Sequence, residues 1–268
     1  MQKVKARIPK QVRNDKTWND RNFIIPDYFN EPSVYVQFEV FCKMGYIFEK
    51  SVNIYEKKLI SLVAFLGNYG SEYSKTRHNV AWLFEESLGF SSSLNWQKKF
   101  KGQYAVLERS AVASQLEKLT GKTINGEKAN TGKIYFLKPE TYMNLSGESI
   151  IELAQFFKIK PEEILVVHDE LELAPGFVSL KWSGGLGGHN GLRSAKACLG
   201  TADFWRLRFG IGRPNHSDIA GYVLSAFTAD EQIILAQVFA QTEELFCKVL
   251  CAEPDKYLKE WSKKKVNA

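Results

Sequence analysis

The chain has 268 residues, 44% of them hydrophobic and 25% charged, and carries a net charge of +6. That balance describes a globular protein of one large domain or two small ones. No apolar run approaches the roughly 20 residues of a membrane helix. The basic start Met1–Arg7 leads into neither an apolar segment nor a small-residue cleavage site, which argues against a secretory signal. The four cysteines are Cys42, Cys198, Cys247 and Cys251. None makes a Cys-x-x-Cys pair and no histidine is placed to complete a zinc site, so the expectation is a reducing, cytoplasmic setting. The positive charge permits a polyanionic partner such as RNA without requiring one.

Residues 1–57 show neither a helical face nor strand alternation. The plain expectation is a poorly ordered extension from a start placed too far upstream, with Met44 as an internal alternative. An auxiliary RNA-binding arm is the sharper reading and rests on charge alone. Regular pattern begins at Leu59. Residues 59–66 form a continuous apolar run, as expected of a strand buried on both faces. Gly67 and Gly70 then turn the chain towards a helix over 78–88. Further strands are predicted over 103–108, 134–137, 164–167, 178–182 and 205–211, with Arg206 and Arg208 on one face of the last. Ser146 is the expected N-cap of a helix carrying Ile150, Leu153 and Phe157. A glycine loop, Ser183–Gly191, precedes a helix over 190–199. Thr228–Glu231 reads as a capping box opening a helix with Ile234, Val238, Leu245 and Val249 on one side. Residues 110–132 read as a helix-like piece and a long surface loop, and the Lys263–Lys265 tail as solvated and frayed.

Strands alternating with helices give an α/β fold. The expectation is a single domain over residues 58–250, with a mixed, largely parallel sheet flanked by helices, in a phosphorylase/hydrolase-like arrangement. Residues 251–268 are left as a basic tail. Open α/β sheets place ligands at the carboxyl ends of their strands. Those ends present Asn68 with His78, then Asn144, then Asp169, and then His189 with Asn190. Singly, each has an ordinary explanation as a turn, cap or corner residue. Together they supply a base, an acidic partner and amides for a polar substrate. No thiol belongs to the set and no Gly-x-Ser-x-Gly elbow is present, so the inventory points to direct attack by water.

Several long motifs resemble bacterial peptidyl-tRNA hydrolase. They are Gly67-Asn68-Tyr69-Gly70 with Tyr73, Thr76-Arg77-His78-Asn79, Tyr142-Met143-Asn144-Leu145-Ser146-Gly147, His168-Asp169-Glu170, Gly187-Gly188-His189-Asn190-Gly191 and Arg206–Pro214, followed by Gly221-Tyr222-Val223-Leu224. The resemblance covers roughly residues 58–250. It departs from the family at Tyr69, where proline is usual, at Leu186, where histidine or asparagine is frequent, and in the longer 110–132 segment.

The resemblance implies a monomeric, metal-independent, cytoplasmic enzyme without cofactor that hydrolyses the ester between a peptide and the tRNA 3′ ribose. It implies His78 as general base, oriented by Asp169. Asn68 and Asn144 would hold the substrate backbone, Asn68 helping to distinguish a peptidyl from a free aminoacyl group. Tyr73, Tyr142 and Asn190 match contacts to the tRNA end, and His189 lines and gates the cleft. Lys181 and Arg208 match positions that meet tRNA phosphate. Two other readings stay open at this stage: a catalytically dead RNA-binding relative, and a nucleoside phosphorylase or aminopeptidase of similar fold.

Overall fold

The computed structural model describes residues 59–123, 131–215 and 217–266. The 1–57 extension and the 124–130 part of the long segment lie outside the described residues. Among the described residues, eight strands form one sheet: β1 (Leu62–Phe65), β2 (Gln97–Lys99), β3 (Gly102–Glu108), β4 (Lys133–Pro139), β5 (Ile164–Glu170), β6 (Phe177–Trp182), β7 (Trp205–Gly210) and β8 (Lys264–Lys265). Their order is β2-β3-β4-β1-β5-β7-β6-β8. The expected mixed α/β sheet is therefore present, but it is not largely parallel: three of its pairings are parallel and four antiparallel. Its parallel part is the centre, where β4, β1, β5 and β7 run together, while the pairings outwards from β4 and β7 are antiparallel.

The helices are α1 (Val80–Ser87), α2 (Arg109–Thr120), α3 (Ser146–Phe156), α4 (Asn190–Leu199), α5 (Ile219–Val223), α6 (Ala229–Cys251) and α7 (Leu258–Trp261). The central strand β1 explains the layering. Val63 and Phe65 point to one face, where α1, α2 and α6 deliver Phe84, Val112 and Phe246. Leu62 and Ala64 point to the other, where α3 and α4 deliver Ile150, Leu153 and Leu192. Both faces are buried, as the unbroken apolar run predicts. Phe84 meets Phe209, Phe239 and Phe246 at ring separations of 4.8, 5.4 and 5.3 Å. Burying one such side chain stabilises the fold by about 1.5–3 kcal/mol. The buried Arg109 guanidinium ties β1 to α6 by donating to the carbonyls of Ile60 and Leu250.

Three local expectations are corrected. Leu145, not Ser146, caps α3; Ser146 is its first residue, and its hydroxyl turns back to the Met143 carbonyl at 2.9 Å. Ile234 is 38% exposed, so the buried side of α6 begins only at Val238. The tail is tied down: Lys264 and Lys265 pair with β6, and Val266 is buried with its N–H on the Gly176 carbonyl. A run of lysines hides this, because an edge strand needs only backbone groups and one buried valine to dock.

Candidate active site

The parallel centre brings the carboxyl ends of β1, β4 and β5 together, and with them Asn68, Asn144 and Asp169. His78 stands on a 3₁₀ turn, Arg77–Asn79, at the entrance of α1. Its Nδ1 lies 2.8 Å from Asp169 Oδ1. His189 Nε2 reaches the same oxygen at 2.9 Å. Asp169 is 2% exposed, so its acceptor oxygen is served by protein donors and not by bulk water.

Hydrogen bonding settles the tautomers. His189 Nδ1 accepts from the Gly191 and Leu192 N–H groups at the start of α4, at 3.1 and 3.4 Å. That nitrogen therefore carries no proton, and Nε2–H donates to Asp169. Asp169 takes the Nδ1–H of His78 on the same oxygen, which leaves His78 Nε2 with a free lone pair. Burial alone would raise the Asp169 carboxyl. The two facing imidazoles, by charge and by hydrogen bond, reverse this and hold it well below the usual carboxylate range.

One potential ligand atom from each of His78, Asp169 and His189 lies within 4.8 Å of the other two, close enough to suggest metal ligands. The tautomer argues otherwise. A metal on His189 Nε2 would force the proton to Nδ1, directly against two backbone N–H donors.

Asn68 is held at three points. Asn79, itself fully buried, accepts from the Asn68 N–H at 2.9 Å and donates to its carbonyl at 3.0 Å. The Asn68 side-chain oxygen accepts from the Met143 N–H at 2.9 Å. The amide orientation is thereby fixed, because only oxygen can face an N–H, and Nδ2 is presented as a donor.

The remaining sequence-predicted residues lie around this centre or below it. Asn144, Tyr142 and Asn190 are exposed and Tyr73 is half-buried. Leu186 is partly buried and packs against the core cluster that holds Ile150, Leu153 and Leu192 of α3 and α4.

His189 and Asn190 arrive by a different route from the one expected. Strand β6 is antiparallel, so its carboxyl end at Trp182 pairs with Trp205 at the far end of β7. The glycine loop runs back across the face of β7. Arg206, 1% exposed, grips the carbonyls of Gly184 and Gly185 at 2.7 Å each. Gly187 then passes Glu170 before His189 meets Asp169. Ser183, Gly184, Gly187 and Gly188 all have positive φ, which is why glycine dominates here.

Lys181 and Arg208 line a cleft with Leu180, Trp182, Leu258 and Lys259. Lys181 pairs with Arg206, three rungs down β7 from the Phe209 that pairs with Asp169. With three rungs of about 3.3 Å along the strand and two strand spacings of about 4.8 Å across β7, it stands roughly 14 Å from Asp169. Burial, and then the charges of Arg208 and Arg206, push the Lys181 ammonium down. Arg208 is already engaged, donating to Glu170 at 3.1 Å and to Ser179 Oγ at 2.7 Å.

Sequence reading passed over His168, Asn79 and Arg206. His168 is fully buried, with Nδ1 2.6 Å from the Asp169 carbonyl and Nε2 lacking a partner. Burial, with the neighbouring His189, pushes its imidazole well below the ordinary value. Its position in the His-Asp-Glu motif was the available signal.

These features define a class: an α/β enzyme with a histidine–aspartate centre at the carboxyl ends of parallel strands. Comparison narrows it. The family model described as peptidyl-tRNA hydrolase matches residues 62–268. A peptidyl-tRNA hydrolase of Treponema pallidum is 43% identical over 212 residues, covering 77% of this chain and 96% of the relative. One from Neisseria gonorrhoeae is 41% identical over 205 residues, covering 75% and 93%. The crystal structure of the Acinetobacter baumannii enzyme at 1.00 Å superposes with a TM-score of 0.63 at 30% identity, covering 78% of this chain and 97% of that one. The chain belongs to the peptidyl-tRNA hydrolase family.

Proposed function

We propose that this protein hydrolyses the ester bond between a peptide and the 3′ ribose of tRNA, releasing free tRNA and so recycling it from prematurely released peptidyl-tRNA. The observation that carries the mechanism is the 2.8 Å His78–Asp169 contact, which leaves His78 Nε2 open. His78 Nε2 takes a proton from water as the water oxygen attacks the ester carbonyl. Asp169 holds the tautomer and stabilises the imidazolium that forms. When the tetrahedral intermediate collapses, the imidazolium returns the proton to the departing ribose oxygen. The products are a peptide carboxylic acid and tRNA.

Asn68 gives this site its selectivity. With its oxygen committed to Met143, it offers only N–H donors. A peptide carbonyl accepts such a donor; the free ammonium of an aminoacyl group cannot. A site whose buried donor is left unpaired rejects the wrong substrate. Asn144, Tyr73, Tyr142 and Asn190 line the approach of the tRNA end. His189 fixes Asp169 from the cleft side. Lys181, with Arg208, serves phosphate and adds affinity without reading sequence. The enzyme acts as a cytoplasmic monomer without metal or cofactor. Among the described residues, no helix is long and apolar enough to cross a membrane.

The test is release of labelled product from N-acylated and from free aminoacyl-tRNA, each with and without chelator. Fast release from the acylated substrate only, insensitive to chelator, is expected. Equal release from both would refute the selectivity argument, and abolition by chelator the metal-free mechanism.

A further inference from the structure

Two motifs noted in the sequence, Thr76-Arg77-His78-Asn79 and Gly221-Tyr222-Val223-Leu224, meet in the fold. Arg77 precedes His78 and is only 6% exposed. Its Nη1 donates to Ser225 Oγ and to the Ala226 carbonyl, both at 2.6 Å. Its Nη2 donates to Glu231 at 2.7 Å. The guanidinium carbon lies 4.5 Å above the Tyr222 ring and 5.4 Å from that of Phe227. The backbone joins as well: Arg77 N–H bonds the Ser225 carbonyl at 3.0 Å, and Thr76 bridges Ala226. The far side of this clamp reaches the other half of the dyad. Tyr222 OH donates to the Ile211 carbonyl at 2.5 Å. Ile211 N–H donates to the carbonyl of Glu170, next to Asp169.

We infer that Arg77, seated on Tyr222 and paired with Glu231, is a positioning residue that sets the separation between His78 and Asp169. The inference rests on the reading of that pair as the general base. Its physical basis is geometric. His78 sits on a short 3₁₀ turn, which makes few backbone bonds of its own. The planar guanidinium supplies several donors in a fixed fork, so the turn is held against rotation as well as translation. A displacement of about 1 Å at a reacting group costs up to about 10²-fold in rate. Lysine in place of Arg77 keeps the charge but cannot reach Ser225, Ala226 and Glu231 together.

The experiment uses the full chain and single-turnover release of labelled peptide from peptidyl-tRNA. Arg77→Lys and Tyr222→Phe are each made alone and combined with His78→Ala, with substrate affinity and thermal midpoint measured alongside. Tyr222→Phe keeps the ring under the guanidinium and removes only the bond to Ile211, so it serves where Arg77→Lys fails to fold. The expected result is a drop of about 10-fold or more in the release rate at saturating substrate, with affinity unchanged. In the His78→Ala background the same change should have less than about 2-fold effect, because Arg77 acts through His78. Equal fractional losses in both backgrounds would show a merely structural role and overturn the inference. So would a normal rate in both single variants while His78→Ala is inactive. Retained turnover in His78→Ala itself would instead remove the reading on which the inference stands.

Discussion

Replacing Asp169 by asparagine separates charge from geometry. Both His78 Nδ1 and His189 Nε2 donate to one oxygen, Oδ1, at 2.8 and 2.9 Å. An asparagine carbonyl placed there keeps both hydrogen bonds and both tautomers. What disappears is the negative charge beside the imidazolium that forms in the transition state. With charge centres about 4 Å apart and an effective dielectric near 20, that attraction is worth at most about 4 kcal/mol. At about 1.4 kcal/mol per factor of ten, Asp169→Asn should lower turnover by about 10²–10³-fold. Affinity for peptidyl-tRNA should stay within about 2-fold, since the interaction strengthens only in the transition state. The assay is single-turnover release across a substrate series, which yields the saturating rate and the affinity separately. Turnover within about 3-fold of the parent would refute the electrostatic argument. A loss expressed wholly in affinity would do so too.

Three further outcomes follow from the structure. His168 is buried neutral with its imidazole pushed below the ordinary 6.5, so the unfolded chain binds a proton that the folded chain does not. Stability should therefore be fully present above pH 6.5 and fall as pH drops below it, and His168→Asn should reduce that slope by up to about 1.4 kcal/mol per pH unit in denaturant titrations at pH 7.5 and 5.5. Lys181→Ala should weaken tRNA binding and lower its salt slope by up to about one unit, while leaving cleavage of a short phosphate-free mimic unchanged; equal losses on both substrates would contradict a phosphate role. A chain beginning at Glu56 should keep its thermal midpoint and its peptide-release rate, because the family match begins only at residue 62.

Much of the centre was legible because its signals are local. The apolar run Leu62–Leu66 states burial on both faces, and a strand end followed by a helix entrance locates Asn68 and His78. Asp169 follows from the apolar strand over 164–167. The route of the glycine loop was not legible, since nothing in Val178–Trp182 says that β6 runs antiparallel and that the loop must cross back over β7. Arg208 looks free in sequence; its Glu170 partner lies on the neighbouring strand β5. Asn79 reads as an ordinary residue at a helix start, and its clamp on Asn68 exists only once residues 68 and 79 are folded together. The docking of Val266 depends on a strand edge nearly ninety residues earlier, which no local pattern encodes.

The proposed mechanism turns on His78 as the base. Single-turnover release of labelled peptide from peptidyl-tRNA by His78→Ala, with tRNA binding measured in parallel, tests it most directly. Release should be slowed by about 10²-fold or more with binding intact; release at a near-normal rate would place the base elsewhere.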